Sequence, residues 1–352
     1  MTHTSDVVII GGGLTGIAAA YLLRNSSLSI TILEARTSLG GRIRTIYGKD
    51  GKSVEMGATW LGKKHTALVD LLKELGIGIF PQTMGERVWY EAISTSPPQL
   101  VQLPPNDEPS YRIQGGSASL IQALQNQIKN VDLQLGQKVE SIEKNEDSVL
   151  VKTNNATFSA HYVISTLPPN LLINTVSFQP NLPNSLTTLA RQTHTWMGES
   201  IKVALTYQKP FWRAKNSGST IFSNVGPIPE MYDHSNYDDN FYALKGFLNG
   251  TYFSLTKEER LALIMKQLEK YYGTQVHDYL EYEEVVWRKE AFTFTPYDQH
   301  ILPHQNNGHP HYRQPLWGGQ LWLAGSETSE QFPGYMDGAV RSATLVAEQI
   351  LN

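Results

Sequence analysis

The chain has 352 residues and no cysteine, 40% of its residues are hydrophobic, and its formal net charge is −4. This length can bury a large core and predicts a division into two structural domains. The composition excludes disulfides, thiolate metal sites and a cysteine nucleophile, and the charge gives no reason to expect nucleic acid or an anionic membrane as a partner.

The first elements form a strand–turn–helix–strand unit. The apolar run at 6–10 predicts a strand, GGGLTG follows at 11–16, and the pattern over 17–23 predicts a helix. A second strand at 30–33 ends at Glu34, which is placed to accept hydrogen bonds from an adenosine ribose. A G-x-G-x-x-G turn in this context predicts a dinucleotide-binding βαβ unit.

Each position of this turn has a physical role in binding a dinucleotide. Gly11 permits the tight turn, Gly13 lets the backbone approach a pyrophosphate, and Gly16 allows the helix to pack closely on the strand. The free N–H groups at the helix start, at Leu14 and Thr15, attract the phosphate charge.

Two further glycine turns follow. They bear on the choice between NAD and FAD, because both cofactors share the first fingerprint. Gly40 and Gly41 are followed by Arg42, which gives a second close backbone approach and a guanidinium suited to a phosphate. Residues 57–60, GATW, supply another glycine turn with an aromatic beside it.

The rest of the chain alternates between two environments. Prolines between 97 and 109 exclude a long helix in that region. The other predicted elements are helices at 65–75 and from 115–117 through 128, strands at 131–135, 149–153, 162–165 and 200–207, a helix at 256–272 with a Thr256–Glu259 capping box, a strand at 321–324, and a final helix opening at 334–340.

Motifs spread from residue 6 to residue 340 together resemble those of the flavin-dependent amine oxidases, the family of monoamine and polyamine oxidases. In chain order they are GGGLTG (11–16), GGR (40–42), GATW (57–60), GG (115–116), AGSET (324–328) and GYMDGAV (334–340). The resemblance implies an α/β fold, with a Rossmann-like, GR2-type FAD-binding domain and a smaller mixed β/α substrate domain. The implied FAD-binding domain is discontinuous (1–80, 115–190 and 290–352), and the substrate domain takes 81–114 and 191–289.

The resemblance also implies which residues hold FAD, at the matched turns and strand ends. These positions are Gly11, Gly13, Leu14, Thr15, Gly16, Glu34, Ala35, Arg36, Gly40, Gly41, Arg42, Gly57, Ala58, Thr59, Trp60, Val139, Trp287, Gly325, Glu327, Gly334, Tyr335 and Met336. Val139 matches a position whose backbone holds the adenine, and Glu327 is expected to bind cofactor hydroxyls. The start of the final helix would favour negative charge on the reduced flavin.

Three positions match catalytic residues of the family. Lys202 matches a lysine that holds a water near flavin N5, and Tyr297 and Tyr335 match two aromatics that flank the substrate. Trp287 matches an aromatic near the flavin. The strand alternation around Lys202 fits either a solvated lysine or one aimed into a cavity, and Tyr297 could instead be an ordinary packed core residue. Tyr335 is the stronger match, because GYMDG at 334–338 keeps the family pattern at a helix start.

Two departures from the family pattern affect these expectations. Some relatives bond the flavin to a cysteine at the position matching Pro296, so FAD is expected to be held non-covalently here. Positions 58–114 are too few for the long helical segment that typical relatives carry between these turns, which implies a shorter and more open substrate site.

A histidine cluster raises the question of a metal site. His300, His304, His309 and His311 lie close in sequence, but prolines and a glycine separate them and no carboxylate or cysteine joins them. We therefore predict a solvent-exposed loop and no metal.

The implied reaction is the oxidation of a small-molecule amine. A hydride passes from the amine α-carbon to flavin N5, the resulting imine is hydrolysed to an aldehyde or ketone, and O2 is reduced to H2O2. Alternatives are an L-amino acid oxidase using Arg112 or Arg288 for the substrate carboxylate, a desaturase, and a non-catalytic FAD-binding redox sensor or scaffold. A nicotinamide dehydrogenase is disfavoured by the GGR turn.

The sequence also bears on where the protein works. No apolar run reaches the ~18 residues of a membrane span, and no basic segment precedes Val7. The last motif is followed closely by Asn352, without the membrane-anchoring tail of the mitochondrial relatives. We therefore expect a soluble, cytoplasmic protein with no membrane partner, and the sequence leaves its oligomeric state open.

Overall fold

The computed structural model of the chain describes residues 2–48 and 53–352. Nineteen strands and seven α-helices form within this part of the chain. The strands are β1 (Thr2–Ile10), β2 (Ile30–Glu34), β3 (Thr45–Tyr47), β4 (Ser53–Glu55), β5 (Ile79–Pro81), β6 (Arg87–Glu91), β7 (Gln99–Gln102), β8 (Tyr111–Ile113), β9 (Asp132–Leu135), β10 (Val139–Lys144), β11 (Val149–Thr153), β12 (Thr157–Ser165), β13 (Ser177–Gln179), β14 (Ile201–Tyr207), β15 (Thr220–Ser223), β16 (Glu230–Asp233), β17 (Tyr242–Leu248), β18 (Glu281–Val286) and β19 (Leu321–Leu323). The helices are α1 (Leu14–Leu23), α2 (Thr66–Glu74), α3 (Ala118–Gln127), α4 (Pro169–Thr175), α5 (Asn184–Arg191), α6 (Lys257–Tyr272) and α7 (Met336–Leu351).

A large sheet forms the nucleotide-binding part of the fold. Its strand order is β13-β10-β11-β12-β1-β2-β9, and β19 also pairs with β12. The strands around β1 run parallel, whereas β11 is antiparallel to both its neighbours. Alternate residues of β1 enter two cores: Val7 and Ile9 pack with α1, α3 and α7, and Val8 and Ile10 pack on the opposite face. The unbroken apolar run is therefore explained by burial on both faces.

The boundaries of two strands differ from the sequence prediction. β1 begins at Thr2 rather than at residue 6, and β12 begins at Thr157 rather than at 162. Thr2 pairs with Thr157 in a parallel register, while the same stretch of β12 also pairs with β11. Strand pairing thus extends both strands through polar residues that carry no apolar signal.

A second sheet of seven strands has the order β18-β14-β17-β16-β15-β6-β7. All its pairs are antiparallel except that of β15 with β6. One face packs on α6, where Val203 and Leu205 meet Ile264 and Leu268. The opposite face of β14 turns toward the segment around β4, because Ala204 clusters with Val54 and Met56. The strands of this seven-stranded sheet all lie within residues 81–114 or 191–289.

The α6 boundary prediction is confirmed in atomic detail. Thr256 Oγ1 accepts a hydrogen bond from the Glu259 N–H, and the Glu259 carboxylate accepts one from the Thr256 N–H at 2.8 Å. The helix ends at Gly273, whose φ of +67° is the left-handed conformation that suits glycine.

None of the helices in the described ranges 2–48 and 53–352 is both long enough and apolar enough to cross a membrane.

Candidate active site

A cavity of about 590 Å³ is lined by residues from both sheets and their connecting loops. Its wall contains most of the residues expected at the cofactor and catalytic positions. They are Gly11, Gly13, Leu14, Thr15, Glu34, Arg36, Gly40, Gly41, Arg42, Gly57, Ala58, Thr59, Trp60, Lys202, Trp287, Gly334, Tyr335 and Met336. Six expected positions lie off this wall: Gly16, Ala35, Val139, Tyr297, Gly325 and Glu327.

The two glycine turns cross each other at one end of the cavity. The Gly40 N–H donates to the Gly12 carbonyl at 2.8 Å, and a Cβ on Gly41 would come within 3.1 Å of the Gly13 Cα. Behind them, a Cβ on Gly16 would overlap the Gly11 carbonyl oxygen. The missing side chains therefore leave bare backbone facing the cavity, which is the cradle that a pyrophosphate requires.

The start of α1 also faces this end of the cavity. The helix is preceded by Gly13, and no side chain caps it, so the N–H groups of its first turn are not satisfied by a capping residue. Leu14 and Thr15 line the cavity. A helix N-terminus with free N–H groups favours an anion, as the sequence predicted for this position.

Glu34 closes the nucleotide end. Its carboxylate accepts hydrogen bonds from the Gly12 N–H at 2.7 Å and from the Arg36 N–H at 2.8 Å. These bonds fix the carboxylate between the first and second glycine turns. An ionised carboxylate has further acceptor sites, so a ribose hydroxyl can still bind there.

Arg36 and Arg42, which lie on either side of the Gly40–Gly41 turn, each form an ion pair with an acidic residue. Arg36 pairs with Glu290 at 2.8 Å, and Arg42 pairs with both oxygens of Glu327, at 2.5 and 2.7 Å. Burial alone would raise the pKa of Glu327, but the Arg42 charge and the hydrogen bonds from Arg42 and Ser326 hold that pKa below its ordinary value. Glu327 therefore lies behind the wall as a buried anion that orients Arg42.

Lys202 lies at the other end of the cavity and is buried. The sheet face on which it lies is covered, so its side chain is 5% exposed and Nζ donates to the Gly57 carbonyl. Burial lowers the pKa of Lys202 to about 8, against the opposing effect of the Glu55 carboxylate. The structure thus excludes a solvated lysine. Nearby, the Trp287 indole N–H donates to the Met56 carbonyl at 2.9 Å.

Aromatic side chains gather around the start of α7. Tyr335, which directly precedes this helix, is 38% exposed, and its ring centroid lies 5.8 Å from Trp196 and 5.9 Å from His304. Tyr297 lies off the cavity wall, because its hydroxyl accepts a hydrogen bond from the Thr195 N–H at 2.7 Å. The aromatic that the structure places beside Tyr335 on the wall is therefore Trp196, which the sequence analysis did not select.

The start of α7 presents a second uncapped helix N-terminus. No side chain caps it, and Met336 lines the cavity. The Asp337 carboxylate is turned away from the cavity, because it accepts hydrogen bonds from the Leu68 N–H and from Arg341.

Two other residues that the sequence analysis missed, Phe247 and Glu230, form a row with Lys202 across the second sheet. Lys202 of β14 lies opposite Phe247 of β17, and Phe247 lies opposite Glu230 of β16. Directly opposed residues share a face, and adjacent strands lie ~4.8 Å apart, so the α-carbons of Lys202 and Glu230 are about 10 Å apart. All three line the cavity. Cross-strand register created this row, and no sequence signal could have identified it.

Glu230 provides a negative charge at the far end of this row. Its carboxylate accepts a hydrogen bond from the Tyr232 hydroxyl at 2.6 Å, and the Tyr232 ring lies 5.2 Å from Trp60. In the part of the chain that the structure describes, no lysine, arginine or histidine pairs with Glu230. An unpaired carboxylate beside aromatic rings attracts a cation.

The wall also includes Thr166, Leu167 and Pro168, which follow the carboxyl end of β12. This edge of a parallel sheet is where open α/β folds bind ligands, so the end of a predicted strand could have identified these residues.

The segment at 58–114, which is shorter than in typical relatives, contributes to the cavity wall. Residues 76–114 contain β5 to β8 and no helix, and they contribute Gln82, Met84, Asn106 and Ser110 to the cavity wall. Gln82 accepts a hydrogen bond from the Trp60 indole N–H at 2.8 Å. Short strands therefore form part of the substrate side of the cavity.

The two arginines considered for a substrate carboxylate both lie away from the wall. Arg112 is buried, with His234 Nδ1 at 2.7 Å from one terminal nitrogen and the Ser235 carbonyl accepting from the other. Arg288 pairs with Glu199 at 2.8 Å. Neither guanidinium is placed to bind a carboxylate in the cavity.

The histidine cluster does not converge on one point. His304 stacks on Trp196, with ring centroids 3.9 Å apart, whereas His309 and His311 contact each other. Across residues 2–48 and 53–352, no three histidine, aspartate or glutamate side chains come together in a way that could hold a metal ion.

The cavity thus combines the glycine turns expected to bind a dinucleotide with the buried Lys202. The profile of the flavin-containing amine oxidoreductases matches residues 14–95 and 92–351, which is nearly the whole chain. The chain belongs to this family. It is therefore a flavin-dependent oxidoreductase, and the predictions of family, α/β fold and FAD are confirmed. A cysteinyl flavin bond is impossible because the chain has no cysteine.

Individual relatives are similar to this chain over most of their own length. The flavin-containing amine oxidase B of Cavia porcellus is 26% identical over 458 aligned positions, which cover 100% of this chain and 87% of that protein. A probable flavin-containing monoamine oxidase A of Dictyostelium discoideum is 25% identical and covers 99% of this chain and 98% of its own length. The alignments are longer than the chain itself, which agrees with a shortened member of the family.

Solved structures share the fold. A putrescine oxidase bound to putrescine superposes with a TM-score of 0.86 at 22% identity, covering 100% of both chains. A cyclohexylamine oxidase from Brevibacterium oxydans gives a TM-score of 0.84 at 20% identity, covering 99% of this chain and 100% of that one.

Proposed function

We propose that this protein is an FAD-dependent oxidase of small amines. The observation that carries the proposal is that Lys202, Trp287 and Tyr335 lie on the wall of the same cavity as the dinucleotide turns. The amine would lose a hydride from its α-carbon and a proton from nitrogen, and water would convert the imine to an aldehyde or ketone. When bound, the flavin would accept the hydride at N5 and pass two electrons to O2, giving H2O2.

The residues of the chain would hold the cofactor and orient the amine. The glycine turns and the start of α1 would hold the pyrophosphate, and Glu34 would hold the ribose. The start of α7 would face the ring end, where its dipole favours negative charge. We propose that Lys202 holds a water beside the reacting carbon, and that Tyr335 and Trp287 exclude bulk water there. For Tyr297, a position flanking the substrate stays a prediction.

We further propose that the chain has two domains with different ligands. FAD would be bound by residues 1–80, 115–190 and 290–352, and the substrate by residues 81–114 and 191–289. Membership of the two large sheets supports this division.

For the substrate, we propose an aliphatic amine that carries a second cationic group. Glu230 and Lys202 occupy opposite ends of one row of side chains, with the Phe247 ring between them. An amine oxidised near Lys202 would therefore place its far end beside Glu230, Tyr232 and Trp60. The likeness to a putrescine oxidase bound to putrescine supports this substrate class. A substrate carboxylate would meet the Glu230 charge, which argues against an L-amino acid.

The proposal is tested by adding diamines, monoamines and L-amino acids to the FAD-loaded protein without oxygen and recording the flavin absorbance. We expect an amine to bleach the flavin, and peroxide to form when air is readmitted. Bleaching by amino acids alone would favour an L-amino acid oxidase. If none of the compounds bleaches the bound flavin, the oxidase proposal is wrong, and the desaturase or sensor alternatives gain support.

The role of Glu230 is tested by Glu230→Gln with a diamine and the monoamine of equal chain length. Loss of a charged hydrogen bond costs about 1.5–3 kcal/mol, so we expect kcat/KM for the diamine to fall by roughly 10- to 100-fold. The value for the monoamine should change little. An equal loss for both amines would contradict the proposed contact.

A further inference from the structure

A second lysine, Lys245, is buried behind the cavity wall. It lies on β17 opposite Ala204 of β14 and is fully inaccessible to solvent. Its Nζ donates to Thr59 Oγ1 and lies 4.6 Å from the centre of the Trp60 ring. Because burying an ammonium is costly, a lysine in this position needs a reason beyond packing.

Hydrogen bonds connect Lys245 to Lys202 through the GATW turn. Lys245 Nζ donates to Thr59 Oγ1, the Thr59 hydroxyl donates to the Gly57 carbonyl at 3.0 Å, and Lys202 Nζ donates to the same carbonyl. Donation from Lys245 polarises the Thr59 hydroxyl and strengthens its bond to Gly57. The acceptor that holds Lys202 is therefore itself held by Lys245.

The two lysines also share one set of charged neighbours. Glu55 of β4 and His234 just after β16 interact electrostatically with both lysines, and Arg112 of β8 interacts with Lys245. Burial, followed by the charge of Lys202, lowers the pKa of Lys245 well below its ordinary value. The charge of Lys202 thus disfavours protonation of Lys245.

We propose that Lys245 is a positioning residue for Lys202. Through Thr59 it fixes the Gly57 carbonyl that orients Lys202. This inference rests on the proposed role of Lys202 at the reacting carbon. Lys245 acts through its neighbours and does not touch the substrate.

The first test replaces Lys245 by methionine in the FAD-loaded protein. The titration of Lys202 is followed by NMR of protein labelled with ¹³C at the lysine ε-carbon, and Lys202→Met assigns its signal. Without the Lys245 donor the Thr59 hydroxyl is less polarised and the Gly57 carbonyl holds the Lys202 ammonium less firmly, so we expect the pKa of Lys202 to fall below about 8. We also expect anaerobic flavin bleaching to become slower. Lys209→Met, an exposed lysine beyond the end of β14, should change neither property.

A second variant breaks the connection while keeping both lysines. Thr59→Val removes the hydroxyl between Lys245 and Gly57, so we expect slower bleaching and a lower pKa of Lys202, as in Lys245→Met. This variant also decides the outcome if Lys245→Met does not fold, because unchanged bleaching in Thr59→Val would overturn the positioning role.

An unchanged Lys202 titration in folded Lys245→Met would overturn the positioning role. The NMR measurement needs no turnover. If no amine bleaches the flavin, the proposed function fails, while the coupling of the two lysines is still decided by the titration.

Discussion

At the scale of single residues, the Arg42–Glu327 pair links the cofactor cavity to stability. The Glu327 side chain is 1% exposed and depends on Arg42 for two of its hydrogen bonds. Removing one partner of a buried pair leaves an uncompensated charge, which is far more destabilising than the loss of an exposed pair.

We therefore predict that Arg42→Met lowers the free energy of unfolding by about 3–5 kcal/mol, measured by urea denaturation of the FAD-free protein. The matched control is Arg44→Met. Arg44 pairs with Glu290 but is 43% exposed, so its loss should cost under about 1 kcal/mol. Similar losses in both variants would contradict a dominant contribution from burial.

This stabilisation should depend on pH. Because the pKa of Glu327 is lower in the folded protein than in the unfolded chain, the contribution is present above the unfolded pKa and is lost as pH falls through the folded pKa. The difference in the free energy of unfolding between wild type and Arg42→Met should therefore become smaller as the pH is lowered. If this difference stays constant down to the pH at which the protein unfolds in acid, Glu327 is not the group responsible.

At the scale of elements, the first βαβ unit shows how glycine spacing positions a helix start. Gly16 lies on the face of α1 that meets β1, and a Cβ there would overlap the Gly11 carbonyl oxygen and approach the Ile9 side chain. The backbone oxygen cannot move without changing the turn that lines the cavity.

We predict that Gly16→Ala separates α1 from β1, weakens FAD binding at least tenfold and costs about 1–3 kcal/mol from overpacking. FAD binding can be measured by the quenching of flavin fluorescence, and stability by thermal unfolding. Gly62→Ala is the control, because a Cβ at Gly62 would meet the Lys64 side chain at an ordinary 3.7 Å. Wild-type FAD affinity in Gly16→Ala would show that the turn tolerates the displacement.

Strands were predicted less completely than helices, for a reason visible in β10. Its sequence, VESIEK, buries Val139 and Ile142, which are three positions apart with Glu140 and Ser141 between them, so it lacks a clear two-residue alternation. Pairing with β11 and β13 forms the strand. Helix α6, in contrast, has a local signal in its capping box, which depends on residues three apart.

At the scale of the whole molecule, the cavity joins parts of the chain that are distant in sequence. Its wall combines the turn at Gly11, the GATW turn, Lys202 of the second sheet and the start of α7. A ligand that contacts all of them binds the folded state alone and stabilises it by mass action.

We predict that FAD at about 100 times its Kd adds roughly 2.7 kcal/mol to the free energy of unfolding. The shift can be measured by thermal unfolding over a range of FAD concentrations. ADP reaches the pyrophosphate and ribose sites but not Lys202, so at equal concentration it should stabilise less. Equal stabilisation by FAD and ADP would mean that the flavin ring does not occupy the end of the cavity near Lys202.

The sequence by itself determined the dinucleotide unit, the cofactor and the family, because these depend on local patterns: glycines at fixed spacing, an acid at a strand end and motifs in chain order. It also placed Lys202 on a strand but could not decide which way the side chain points. Only the tertiary structure decided that Lys202 is buried, that Glu230 lies in the same row, and that the Trp196 ring lies beside Tyr335. These facts depend on strand register and sheet packing, which bring together residues with no relation in sequence.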